Sequence, residues 1–180
     1  MKSRPVVVGL GEVLWDVYPD AAYFGGAPAN FACHAASLDA ESWLASAGGA
    51  DELGDRARDT LRQYGVESSC VARDAEHSTG RVDVTLDSLG RPSYEFAANT
   101  AWDHITWSDA LDALARRCDA VCFGTLAQRA PQSRETIQRF VKATPSTALR
   151  MFDVNLRKQF YDATVVDQSL RLATALKLNE

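Results

Sequence analysis

Asp16, Gly25, Gly26 and Asn30 are the residues whose types and spacing first suggest chemistry. Asp16 is the only charged residue of LWDVY, Leu14 to Tyr18, and so offers two acceptor oxygens on an apolar segment. In YFGGAPANFACHAASL, Tyr23 to Leu38, two adjacent glycines precede Pro28, and apolar residues then recur at helical spacing. Proline suits the first turn of a helix. That turn also has unpaired backbone amides, and Asn30 adds a donor and an acceptor there. Adjacent glycines let a ligand lie against bare backbone. This set suits a neutral polyol, whose hydroxyls need both acceptors and donors. A hydrogen bond to the ionised Asp16 contributes about 1.5–3 kcal/mol, against about 0.5–1.5 kcal/mol for a neutral pair, so Asp16 is expected to matter more than Asn30. Taken singly, the same residues read equally well as a satisfied turn, a tight connection and a helix start.

Phosphate loops fit less well. GGAPANFA lacks the Lys-Ser/Thr pair of a P-loop. Gly9-Leu10-Gly11 follows an apolar run as a dinucleotide fingerprint does. However, Leu14 stands at its third glycine position, and the continuation is extended rather than helical.

The elements that must position these residues follow from hydrophobic period. Pro5–Leu10 is a short β-branched run suited to a strand buried on both faces. Glu12–Tyr18 continues extended, carrying Glu12 and Asp16. A helix is expected from Pro28 to about Leu38, and a strand over Ser42–Ser46. A helix capped by Asp51 and stopped by Gly65 comes next, then a strand over Val66–Ala72. GRVDVTLDSLGRPSYEF, Gly80–Phe96, alternates apolar and polar residues around Leu89-Gly90-Arg91-Pro92 and reads as a hairpin with one wet face. Beyond it, helices starting at Ser108, Ser133 and about Val166 alternate with strands over Ala120–Phe123, Leu149–Val154 and Ala175–Leu178. That alternation predicts an α/β fold with a parallel sheet covered on both faces, and the period-two segments form a small side sheet.

The totals agree with such a fold. A chain of 180 residues allows one domain, and about 70% of its unfolded surface can be buried. A net charge of -5 argues against nucleic acid or an anionic membrane as partner. No apolar stretch reaches the roughly 20 residues of a membrane span, and no signal peptide stands out, so a cytoplasmic location is expected. Cys33, Cys70, Cys118 and Cys122 show no CxxC pair and read as reduced thiols. His34, His77 and His104 share no spacing with a nucleophile, Asp51 and Gly54 read as cap and turn, and Trp102 and Trp107 as packing residues. No metal ligand set is expected.

GEVLWDVYPD, GGAPANFA, GGADELGD, STGRVDVTLDSLGRPSYEF, FDVNLR and KLNE, in this order and spacing, resemble the ribokinase/PfkB carbohydrate kinase family, and the glycine-rich stretch and AWDHI most resemble its fructokinase branch. The resemblance implies a ribokinase-like three-layer fold with a mostly parallel central sheet and a small β-sheet lid. Residues 1–180 are then an N-terminal portion of one kinase domain, with lid segments at about 12–24 and 80–97. It implies an ATP-dependent kinase of a small sugar, fructose first, with 2-keto-3-deoxygluconate, ribose or a nucleoside as alternatives. By position, Asp16, Gly25, Gly26 and Asn30 resemble sugar-holding residues and Phe96 an apolar contact to the sugar. Arg157 resembles an arginine near the sugar or the transferring phosphate. Asn179 resembles the first residue of NxxE, which organises magnesium and phosphates, so ATP and Mg2+, with a monovalent cation as an option, are the implied cofactors. The NxxE glutamate and the GAGD motif with its catalytic aspartate have no counterpart among the 180 residues. By that resemblance the chain looks truncated and is expected to be inactive alone. The alternative from another class is a non-catalytic sugar-binding or dimerising module, and a homodimer through the lid is one assembly the reading leaves open.

Overall fold

The computed structural model describes residues 4–86, 89–157 and 161–178. Five strands surround the first, β1 (Val6–Leu10): β4 (Glu41–Gly49), β5 (Val71–Asp74), β8 (Ala120–Gly124), β9 (Leu149–Val154) and β10 (Ala175–Leu178). They form one sheet in the order β10-β9-β8-β1-β4-β5, with every pair parallel. Parallel neighbours need crossover connections, and helices supply them. Two of these, α1 (Ala27–Ser37) and α2 (Glu52–Gln63), share an apolar cluster with Leu44 on one face, through Ala29, Ala32, Ala57 and Leu61. On the other face, α3 (Asp109–Arg116) and α4 (Pro131–Ala143) bury Leu111, Leu114, Ile137 and Phe140 against Val8, Val121 and Phe152. The last helix, α5 (Ala163–Leu172), packs on α4 and β9. The result is three layers, α/β/α, as the alternation predicted.

A second sheet of four strands has the order β3-β2-β6-β7, from β2 (Leu14–Val17), β3 (Ala22–Gly25), β6 (Gly80–Leu86) and β7 (Pro92–Phe96). Hairpins join β2 to β3 and β6 to β7, while β2 and β6 run parallel. One face is packed, with Leu14, Val82 and Val84 buried, and Tyr23 and Leu86 are exposed. Among the described residues no helix is long and apolar enough to cross a membrane.

Side-chain caps place the helix starts. Asp51 accepts from the Gly54 amide, Ser108 from that of Leu111 and Asp162 from that of Val165. Three details differ from the pattern. β4 runs on to Gly49 because Ala45, Ala47 and the glycines are buried between layers and need no amphipathic period. The strand expected over Val66–Ala72 is confined to Val71–Asp74, since Val66 bonds back to Leu61 and only an isolated bridge joins Trp43 to Glu67. Pro131, at the first helical position, opens α4 ahead of Ser133. The Ser133 hydroxyl instead accepts from the Ile105 amide and donates to the Trp102 carbonyl, tying α4 to the 3-10 turn Ala101–His104. All four cysteines are free, and burial pushes the Cys118 and Cys122 thiols up to about 12, as inert packed thiols require.

Candidate functional site

A cavity of about 540 Å3 opens between the carboxyl end of β1 and the packed face of the small sheet. In open α/β sheets that end of the strands is where ligands bind. Asp16 reaches the cavity from β2, Asn30 from the first turn of α1, Phe96 from the end of β7 and Arg157 from the chain after β9. Gly26 lines it as well, so five of the residues picked out from sequence meet in one place. Gly25 does not line the cavity. It is buried behind it, and a Cβ there would stand 3.0 Å from Asp16 Oδ2, so its bareness leaves room for the carboxylate. Asn179 lies outside the described residues.

Local sequence explains the placement. Gly26 turns the chain from β3 into α1 at φ 106°, a left-handed value that disfavours any side chain, and a Cβ there would meet the Glu12 carbonyl oxygen at 2.5 Å. Pro28 follows in the first turn, and the Asn30 amide donates to the Gly26 carbonyl at 2.9 Å. Gly26 carries no side chain to cap the helix, and the Ala27 amide is met by Glu12 Oε1 at 3.2 Å instead. Leu14 and Val82 make the apolar floor, with Phe96 paired across from Val82. A site for a small polar ligand combines such apolar lining with a few fixed polar groups.

The electrostatics are those of a partly dried pocket. Burial pushes the Asp16 carboxyl above its usual range, and the Arg157 guanidinium pulls it back down. Glu12, which the sequence reading passed over, lines the same cavity and is 3% exposed. Burial pushes its pKa up to about 7, against hydrogen bonds from its own amide and that of Ala27. Its sequence signal was present: a carboxylate directly after a buried strand and a glycine, in a segment otherwise apolar. A narrow extension of the cavity continues past Glu12 to Thr125, Asp153 and Asn155.

Asp51 sits away from this cavity. Burial pushes its carboxyl up, but hydrogen bonds from the Thr79 hydroxyl and amide and from the Gly54 amide outweigh that and hold it below the usual range. It ties the start of α2 to the start of β6, the cap-and-turn role expected for it. A second cavity, of about 550 Å3, is lined by Asn99, His104, Arg129 and Arg134. Its charges already face protein carboxylates: Arg129 pairs with Asp103 at 2.7 Å and Arg134 lies 3.8 Å from Asp162. Among the described residues no group of three or more His, Cys, Asp or Glu side chains is placed to hold a metal ion.

Comparison with known proteins agrees with this architecture. The chain is 28% identical to a putative sugar kinase of Pyrococcus horikoshii over 97% of its own length and 62% of that protein. It is 30% identical to a fructokinase of Salmonella typhimurium over 95% of its length and 59% of that protein. The chain therefore spans about three fifths of these relatives. The crystal structure of the Pyrococcus protein superposes with a TM-score of 0.84 at 26% identity, covering 95% of this chain and 62% of that one, and the same protein has been solved in complex with ATP. A Vibrio cholerae fructokinase shares the fold at a TM-score of 0.83 and 23% identity, covering 97% and 63% of the two chains. Residues 20–180 match the pfkB family carbohydrate kinase profile, and with the sheet order and the cavity described above, the chain belongs to that family.

Proposed function

We propose that this chain carries the sugar-binding part of an ATP-dependent sugar kinase whose acceptor is a ketohexose, fructose. The observation that supports it is the gathering of Asp16, Asn30, Phe96 and Arg157, from four separate parts of the chain, around one cavity of about 540 Å3. A pyranose or furanose ring with its hydroxyls fits that volume and that mixture of apolar floor and polar groups. In this reading Asp16 accepts hydrogen bonds from neighbouring hydroxyls, Asn30 both donates and accepts, and Phe96 packs on the ring's apolar edge. Gly26 keeps the backbone bare where the sugar lies, and Gly25 behind it leaves room for the Asp16 carboxylate. Arg157 offsets negative charge on the phosphoryl group as it approaches. ATP supplies that group, and the fructokinase and sugar-kinase relatives support the choice of reaction. A part for Asn179 rests on the resemblance of KLNE alone.

The test is calorimetric titration of the intact protein with fructose, ribose, 2-keto-3-deoxygluconate and adenosine, alongside ATP-dependent phosphorylation of each. Fructose is expected to bind and turn over best. Asp16→Ala is expected to weaken its binding by about 1.5–3 kcal/mol and Asn30→Ala by about 0.5–1.5 kcal/mol. Preference for another member of the panel moves the substrate assignment, and wild-type affinity in Asp16→Ala removes the site.

A further inference from the structure

We propose that Glu12 is a specificity-determining ligand residue of this cavity, its free carboxylate oxygen accepting a hydroxyl hydrogen from the bound sugar. The inference rests on the sugar-site reading above and adds to it a second carboxylate that lines the same cavity as Asp16. Glu12 is buried, lines both the cavity and its narrow extension, and has only one carboxylate oxygen engaged: Oε1 accepts from the Ala27 amide. Oε2 is equally buried and has no hydrogen-bond partner among the described residues. An unmatched buried carboxylate oxygen is costly, so a fold keeps one where something else supplies the partner. Here the neighbouring open space is the cavity itself. The chain holds the group in place, because the Glu12 carbonyl oxygen packs within 2.5 Å of where a Cβ of Gly26 would stand and Oε1 is fixed at the helix start.

The charged and titratable groups around it are few. Asp153, from β9, pushes the Glu12 carboxyl up, and Arg157, just after β9, pulls it down. Cys122, from β8, stays a neutral thiol, and Asp16 projects from β2 into the same cavity. Burial holds the Glu12 proton to about pH 7. A sugar hydroxyl that donates to Oε2 favours the ionised form, so binding is coupled to release of that proton and strengthens as pH rises through 7. A ligand lacking the hydroxyl that reaches Oε2 leaves the carboxylate unmatched, and this is how the residue selects among sugars.

The experiment measures fructose binding to the intact protein and to its Glu12→Gln and Asp16→Ala variants by calorimetry between pH 5.5 and 8.5, with carbon-13 NMR of the Glu12 carboxyl. Glu12→Gln is expected to weaken fructose binding on the order of tenfold or more at pH 8 and to flatten its pH dependence. It is also expected to narrow the gap between fructose and its monodeoxy analogues. In the wild type, saturating fructose is expected to move the Glu12 carboxyl midpoint well below its free value. This readout needs no variant to fold. Wild-type affinity and pH profile in Glu12→Gln, or an unmoved midpoint, overturns the proposal, while loss of binding in Asp16→Ala leaves the sugar site standing. Failure of the wild type to bind any sugar overturns the site and the role of Glu12 together.

Discussion

Asp16 and Glu12 stand on the same short segment, yet their environments give them different work. Asp16 is half-buried on a strand that faces the cavity, with Arg157 near enough to hold part of its charge. Glu12 is sealed between α1, β1 and the cavity wall, and its ordinary value of 4.5 rises to about 7. That difference sets a measurable pH dependence of stability. Below about 4.5 the carboxyl is protonated in both folded and unfolded chains and costs nothing. Between about 4.5 and 7 the folded chain keeps a proton that the unfolded chain has released, so stability falls as pH rises through this window. Above 7 both states are ionised and the full cost remains, about 3 kcal/mol for a shift of this size. Urea unfolding of the ligand-free protein at pH 5, 6, 7 and 8 is expected to show this decline, and Glu12→Gln is expected to flatten it. A variant whose midpoints fall as steeply as those of the wild type would show that Glu12 does not carry the dependence. Asp16 was legible in the sequence because a charge interrupts an apolar run. Glu12 carried the same signal, but its engagement with the Ala27 amide depends on the turn at Gly26, which one-dimensional spacing does not reveal.

The two sheets communicate through short pieces that no periodicity announces. The 3-10 turn Ala101–His104 follows β7, and its Asp103 accepts from both the Arg129 Nε and a terminal nitrogen at 2.7 Å. Arg129 also donates to the Ala97 carbonyl and stacks over Trp102, whose ring lies 3.9 Å from the guanidinium carbon. Both partners are nearly buried, at 10% and 5% side-chain exposure, so this pair is enclosed rather than solvent-screened. A buried pair adds little net stability over a well-packed apolar substitute, but removing one partner strands the other charge at about 3–5 kcal/mol. Arg129→Met is therefore expected to lower unfolding free energy by that order, measured by urea denaturation at pH 7. A loss under about 1 kcal/mol would mean that Asp103 finds another partner. The run AWDHI could be matched to a family pattern, and Trp102 reads correctly as a packing residue, but the partnership with Arg129 spans 26 residues and belongs to the fold. The same limit applies to the Val66–Ala72 segment. Its apolar residues favour a strand, but Val66 bonds back to Leu61 in α2, Val71 bonds to Ser68, and Glu67 and Cys70 meet β4 at separate points rather than along a ladder. By contrast, Asp51, Ser108 and the alternating hairpin declare themselves locally, because caps and period-two faces are short-range physics.

At the scale of the molecule, the cavity is assembled by elements far apart in sequence, from Glu12 on one side to Arg157 on the other, and only the parallel order around β1 brings them together. The groups assigned to the sugar are all within the 180 residues. The resemblance assigns the base for the sugar hydroxyl to a GAGD segment, and the 180 residues contain no such run. Binding and chemistry are therefore separable by experiment. Binding draws on hydrogen bonds that are already positioned, whereas phosphoryl transfer needs a group to take the hydroxyl proton as the new bond forms. Arg157 cannot do so, because a guanidinium stays protonated across the working pH range. Residues 1–180, produced as they stand, are expected to bind fructose with an affinity that Asp16→Ala weakens, and to give no ATP-dependent fructose phosphate above background. Phosphate transfer by these residues alone would mean that a carboxylate of this cavity serves as base. Glu12, with a pKa of about 7 and a free oxygen, would then be the first residue to substitute.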